Sequence, residues 1–189
     1  MGKLIAAINM TLDGFCDHTS MIADEEILQH YTELLSNAGH IVYGRKTFHL
    51  MTYWRTVLDN PTGNKAMDQF AAVMDRISKI VFSRTLKNLE WESAMLARAG
   101  IEEEILALKK KTGKDILIGS PGLIVTATNL GLIDEFQICV HPVIAGRGMP
   151  LFNNLTERIN LKPLKTETFG CGAVILYYEP VEKIATKHL

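Results

Sequence analysis

Cysteine is scarce: Cys16, Cys139 and Cys171 are an odd set of three with no C-x-x-C pair. A secreted disulfide framework and a zinc knuckle are both excluded, and a reducing cytoplasm is the expected compartment. Excess charge of either sign is missing too, since 20 Lys+Arg face 21 Asp+Glu for a net charge of -1. Non-specific binding to nucleic acid or an anionic membrane relies on such an excess, so a small molecule is the expected partner. The longest early apolar run, Leu4 to Ile8, is too short for a signal core or a membrane span. Met1-Gly2 lacks the Ser or Thr that a myristoylation signal needs at position 6, and Lys187-His188-Leu189 matches a peroxisomal tail only loosely.

Several chemistries lack their motif. Gly146-Arg147-Gly148 and Gly170-Cys171-Gly172 do not extend to G-x-G-x-x-G, and no G-x-x-x-x-G-K-[ST] loop exists. No His-x-Glu pairs with a Pro-Cys-x-x-Cys, which removes zinc deaminase chemistry. The six histidines, His18, His30, His40, His49, His141 and His188, share no metal-ligand spacing, so no metal site is expected.

What is present is a chain of 189 residues, 47% hydrophobic and 22% charged, which suits one globular domain spanning 1–189 at roughly 150 residues per domain. Lys3 to Asn9 reads as a strand buried on both faces. Ile27, Tyr31, Leu34, Leu35 and Ala38 then recur at helical spacing, with Asp24 as N-cap and Gly39 as the stop. His40 to Tyr43 is a second strand, and a helix runs from Arg45 through Tyr53-Trp54. After the Pro61–Asn64 loop come a short helix over Met67–Met74 and a strand over Ser78–Ser83. Trp91–Ala94 reads as a short strand. A helix around Ile101, Ile105 and Leu108 follows, with Lys109-Lys110-Lys111 as its solvated end. Asp115–Ile118 is a strand and Leu123–Leu130 a helix. Phe136–Val143, Asn160–Phe169 and Ala173–Tyr178 are strands without helices between them, so the sheet ends antiparallel. The whole predicts a three-layer α/β fold, a mostly parallel mixed sheet with helices on both faces.

Chemistry is expected where a strand stops and a helix starts, because helix N-terminal amides favour phosphate there. Gly44-Arg45-Lys46-Thr47 offers close backbone approach, two cations and a hydroxyl. Alone, an ordinary turn with exposed basic residues explains it equally well. Gly119-Ser120-Pro121-Gly122 is a second such junction, although Pro121 suits any first helical turn. Ser83-Arg84-Thr85 places a cation and two hydroxyls at a strand end, fitting a ribose 2′-phosphate or a plain surface turn.

Together, Leu4-Ile5-Ala6-Ala7-Ile8-Asn9, Ile41 to Phe48 and Ile80 to Thr85 resemble the dihydrofolate reductase fold in order and spacing, over nearly the whole chain. Thr11-Leu12-Asp13-Gly14-Phe15, Gly131 to Phe136 and His141 to Gly148, followed by Pro150-Leu151-Phe152, are similar to one branch of it. That branch includes the reductase domain of the bifunctional riboflavin-biosynthesis deaminase-reductase. The resemblance implies NADPH, with Ala6 and Ala7 near the nicotinamide, Gly44, Arg45, Lys46 and Thr47 beside the diphosphate, and Ser83 and Arg84 on the 2′-phosphate. Gly119 and Ser120 stand where the family has Gly-Gly; with Gly122, Leu123 and Ile124 they complete the implied cofactor site. The implied substrate is a small pterin-, pyrimidine- or sugar-phosphate-like molecule reduced at C=N or C=O. The proton source is Asp24 or, in the loop after the first strand, Asp13. Each also has a structural reading, as a helix cap and as a turn-forming Asp-Gly. Arg76 is out of register for the arginine that clamps the dihydrofolate tail. A homodimer pairing through the strand that ends near Tyr177-Tyr178 is expected. The alternative is a nucleotide-binding or stress-related module that keeps the scaffold without turnover.

Overall fold

The computed structural model describes residues 1–21 and 24–181. Lys187-His188-Leu189 therefore lies outside the described residues. Eight strands form one sheet: β1 (Leu4–Thr11), β2 (His40–Gly44), β3 (Ser78–Phe82), β4 (Ala94–Leu96), β5 (Ile116–Ile118), β6 (Glu135–His141), β7 (Leu161–Thr168) and β8 (Val174–Pro180). Their spatial order is β4-β3-β2-β5-β1-β6-β8-β7. All run parallel except β8, which is antiparallel to both β6 and β7.

Period-two alternation sorts the strand residues onto two faces. Leu4, Ala6, Ile8, Val42, Ile80, Ile116 and Ile118 pack against α5 (Ile101–Thr112) and α6 (Pro121–Asn129). Ile5, Ile41, Tyr43, Val81 and Leu117 face the other way, toward α1 (Glu25–Asn37), α2 (Arg45–Met51), α3 (Tyr53–Asp59) and α4 (Lys65–Arg76). The expected three-layer α/β arrangement is thus present. Among the described residues no helix is long and apolar enough to cross a membrane.

The structure corrects four local expectations. The helix after β2 is interrupted at Thr52, whose hydroxyl donates to the His49 carbonyl at 2.6 Å and competes with the helical ladder. The short strand lies at Ala94–Leu96, not Trp91–Ala94: Trp91 is buried because its indole donates to Asp75 at 2.8 Å, not because it joins the sheet. In the lysine run only Lys110 and Lys111 are solvated. Lys109 is buried, bonded to the Leu132 carbonyl at 2.8 Å and paired with Asp134 at 2.5 Å. Finally, the strand carrying Tyr177-Tyr178 is interior, because β7 covers its outer side. The true edge, β7, is exposed along nearly its length, carries Lys162 and Lys165 and has an irregularity at Pro163/Lys165, features that discourage strand pairing between molecules.

Candidate functional site

The middle of β1 and the carboxyl ends of β2 and β5 meet at the start of α6. There the Gly44 amide donates to the Ser120 hydroxyl at 2.9 Å, joining the two glycine-marked junctions. A Cβ on Gly119 would lie 3.4 Å from the Ala7 carbonyl, so glycine permits this approach of β5 to β1. A Cβ on Gly44 would reach Leu123 at 3.8 Å, while Gly122 faces open space. Ala7, Gly44, Gly119, Ser120, Gly122 and Leu123 are therefore neighbours around one crevice.

Other residues of the expected set stand differently. Ala6 and Ile124 are completely buried in the opposite core, so neither side chain faces the crevice. Arg45 and Lys46 are exposed, and the Arg45 guanidinium donates to the Thr85 hydroxyl at 3.2 Å. That bond brings the β2 junction to the turn after β3. Ser83 Oγ accepts the Thr85 and Leu86 amides at 3.2 and 3.0 Å, fixing the turn from which the exposed Arg84 projects.

Beside the crevice, between the sheet and α1–α4, lies a cleft of about 300 Å³. Ala7 and Gly119 line both its wall and the crevice side, and Thr47 and Asp24 stand among its lining residues. The Asp24 side chain caps α1, its Oδ1 accepting the Glu26 and Ile27 amides at 2.8 and 3.4 Å. Its Oδ2 makes no hydrogen bond among the described residues. Asp13 is placed otherwise: its carboxylate accepts from the Thr11 hydroxyl and from the Ala145 and Gly146 amides. The Thr11 hydroxyl, followed by those amides, draws the Asp13 pKa down to about 2. This carboxylate braces the loop after β6 and does not line the cleft.

Three cleft residues were not anticipated from the sequence. Asn9 Oδ1 accepts from the Tyr31 hydroxyl at 3.2 Å and lies 2.9 Å from His141 Nε2. With that oxygen as acceptor, the imidazole carries its proton on Nε2. Burial pushes His141 below the ordinary imidazole pKa and Tyr31 well above the ordinary phenol range, so both are neutral at pH 7. The signal was faint but present: Asn9 follows Ala7 by two, and Tyr31 follows Asp24 by seven, so each shares a face with a residue already singled out. His141 could be found only once β6 was known to pair with β1 in the register Thr11↔His141. Trp54 and Phe70, with ring centroids 4.5 Å apart and edge to face, also line the cleft.

Comparison with known proteins agrees with this architecture. The family model described as RibD C-terminal domain matches residues 2–175. Uncharacterized protein YyaP of Bacillus subtilis (strain 168) is 37% identical over 180 residues, which is 93% of this chain and 94% of that protein. A candidate riboflavin biosynthesis protein from Shewanella sp. PV-4 has a similar solved structure, with TM-score 0.71 and 19% identity over 96% of this chain and 100% of that one. Dihydrofolate reductase from Enterococcus faecalis, solved with NADP(H) and RAB-propyl, gives TM-score 0.62 and 17% identity over 96% and 98% of the two chains. At such identities the structural likenesses establish the fold, which is that of dihydrofolate reductase. The sequence matches reach further, and on them the chain belongs to the RibD C-terminal domain family.

Proposed function

We propose that the chain is an NADPH-dependent reductase acting on C=N or C=O of a small heterocycle held in the cleft. The observation that carries this reading is the shared wall: Gly119 and Ala7 belong to the glycine crevice and also line the cleft. A dinucleotide in the crevice would therefore end where a substrate sits.

The residues fit such a ligand. Gly122 leaves open space at the start of α6, whose first amides have no partner within the helix. Gly44, Arg45, Lys46, Thr47, Gly119, Ser120 and Leu123 would hold the diphosphate side, with the buried Ala6 and Ile124 supporting them from the core. Ser83 and Arg84 would take the 2′-phosphate, which distinguishes NADPH from NADH. The bound cofactor supplies a hydride; positioning and protonation fall to the chain. Asp24 is the proton source in this reading, since it lines the cleft with one oxygen outside the cap, whereas Asp13 is fully engaged elsewhere. The Asn9 amide, fixed by Tyr31 and His141, orients the substrate.

The same reading takes residues 1–189 as one cytoplasmic domain that works as a homodimer, joined through a face other than the β7 edge. A monomer mass in size-exclusion light scattering would refute the dimer. The non-catalytic alternative uses the crevice but gives the Asn9–Tyr31–His141 network nothing to orient. Fluorescence titration with NADPH and NADH, on the native chain and Arg84→Ala, tests the cofactor site. Preference for NADPH that the substitution removes supports it; failure to bind either nucleotide overturns it.

A further inference from the structure

The cleft has an unusual charge balance for a family whose substrates were expected to include sugar phosphates. Among the described residues, no lysine or arginine lines it, and Asp24 is its one carboxylate. The nearby cations stand outside this lining, with Arg45 and Lys46 exposed at the crevice. Arg45 donates to Thr85 and Arg55 to the Glu90 carbonyl. Arg76 donates to the Ala72 carbonyl of its own helix at 3.2 Å, so it does not stand in for a tail-clamping arginine. Lys79 is fully buried against Ile77, Asp75 and Ser93. Of the two lining histidines, His141 is held neutral by burial and His18 is exposed at the lip.

A phosphate or carboxylate entering this lining would lose its hydration, find no counter-charge and meet the Asp24 carboxylate. A flat neutral ring meets the opposite situation. Trp54 and Phe70 offer aromatic surface, Asn9 and Asp24 offer polar atoms for ring nitrogens and oxygens, and about 300 Å³ is at the small end for ligand pockets.

On the reductase reading above, we infer that the substrate is a compact aromatic heterocycle without a phosphate or carboxylate tail. It stacks on Trp54 and hydrogen-bonds to Asn9 and Asp24. Selection acts against the tail as much as for the ring, because the tail alone creates an unpaired charge.

Paired probes test this on the full chain at pH 8, where an ordinary imidazole is neutral, with and without saturating NADPH. One pair is 2,4-diamino-6-(hydroxymethyl)pteridine against its phosphate monoester, the same ring with an anionic tail. The other is 5,6-diaminouracil against its phosphoribosyl derivative. Calorimetry should show the tailless member of each pair binding at least about tenfold more tightly, the scale of one unpaired buried polar group. Trp54→Leu should weaken the tailless ring by about tenfold. Leu28→Arg, which adds a cation to the α1 side of the lining, should shift preference toward the tailed member. Equal or tighter binding of the tailed compounds by the native chain overturns the inference, as does no binding of any ring compound at millimolar concentration. If the tailless preference holds but NADPH does not bind, the inference stands and the reductase reading alone falls. The native-chain comparison decides even if either variant fails to fold.

Discussion

Asp24 carries two separable duties, and Asp24→Asn separates them. As a cap, its Oδ1 accepts two amides, at 2.8 and 3.4 Å. Asn presents the same acceptor and ranks with Asp at N-cap positions, so stability should fall only by the charge's interaction with the helix start, ~0.3–1 kcal/mol. Asp24→Ala removes the acceptor as well and should cost a further ~1 kcal/mol. As a proton source, the carboxyl is lost equally in both. Turnover should therefore drop by about 10²–10⁴ in each variant, the usual range for a positioned acid. Urea unfolding followed by circular dichroism measures the first quantity. Single-turnover oxidation of NADPH at 340 nm, with whichever pteridine or uracil probe reacts, measures the second. NADPH affinity should stay unchanged, because Asp24 is not among the crevice residues. A fully active Asn variant would reduce Asp24 to a cap. An Ala variant as stable as the native chain would refute the capping argument.

Asp134→Ala should destabilise the chain by ~2–4 kcal/mol, since it leaves the buried Lys109 ammonium without its carboxylate and the Leu4 amide without its 2.6 Å acceptor. The lower bound allows for solvent screening of the part-exposed Asp134. Adding Lys109→Met should restore part of the loss in urea melts; no recovery would mean that charge burial is not the cause. Lys79 is a second buried ammonium, 4.0 Å from the Trp91 ring, and burial lowers its pKa to about 8. Above pH 8 the folded chain gives up this proton while the unfolded chain holds it to about 10.5, so stability should rise between those values by up to ~3 kcal/mol. In a Trp54→Phe background, Trp91 emission should titrate near pH 8, and persistence of that titration in Lys79→Met would refute the assignment.

Much of this was legible beforehand because the relevant signals are local. The unbroken apolar run from Leu4 to Ile8 reported burial on both faces, and Asp24 with Gly39 bracketed α1 by known terminal chemistry. What escaped notice depends on which element lies next to which. Trp91 looks like a strand residue because it is apolar and buried, but its partner is a carboxylate on α4. Lys109 looks solvated until Asp134 is brought beneath it from 25 residues on. The edge position of β8 could not be judged without knowing that β7 folds outside it. At the site, the glycine junctions announced themselves through composition, whereas Asn9, Tyr31 and His141 become a unit only when β1, α1 and β6 converge.

The central place of β1 also has a kinetic side. Its neighbours are β5 and β6, and Leu4 pairs with Ile116 while Thr11 pairs with His141. The strand synthesised first thus waits for neighbours made more than a hundred residues later. An emerging polypeptide carries an apolar β1 open on both sides until β5 is made, and open on its β6 side until residue 141 has cleared the ribosome, and loop closure over such separations is slow. Nascent chains halted before β5 hold a sticky strand with both hydrogen-bonding edges open, and those halted between β5 and β6 hold one with a single open edge, which makes the rate of synthesis through residues 116–141 a determinant of yield.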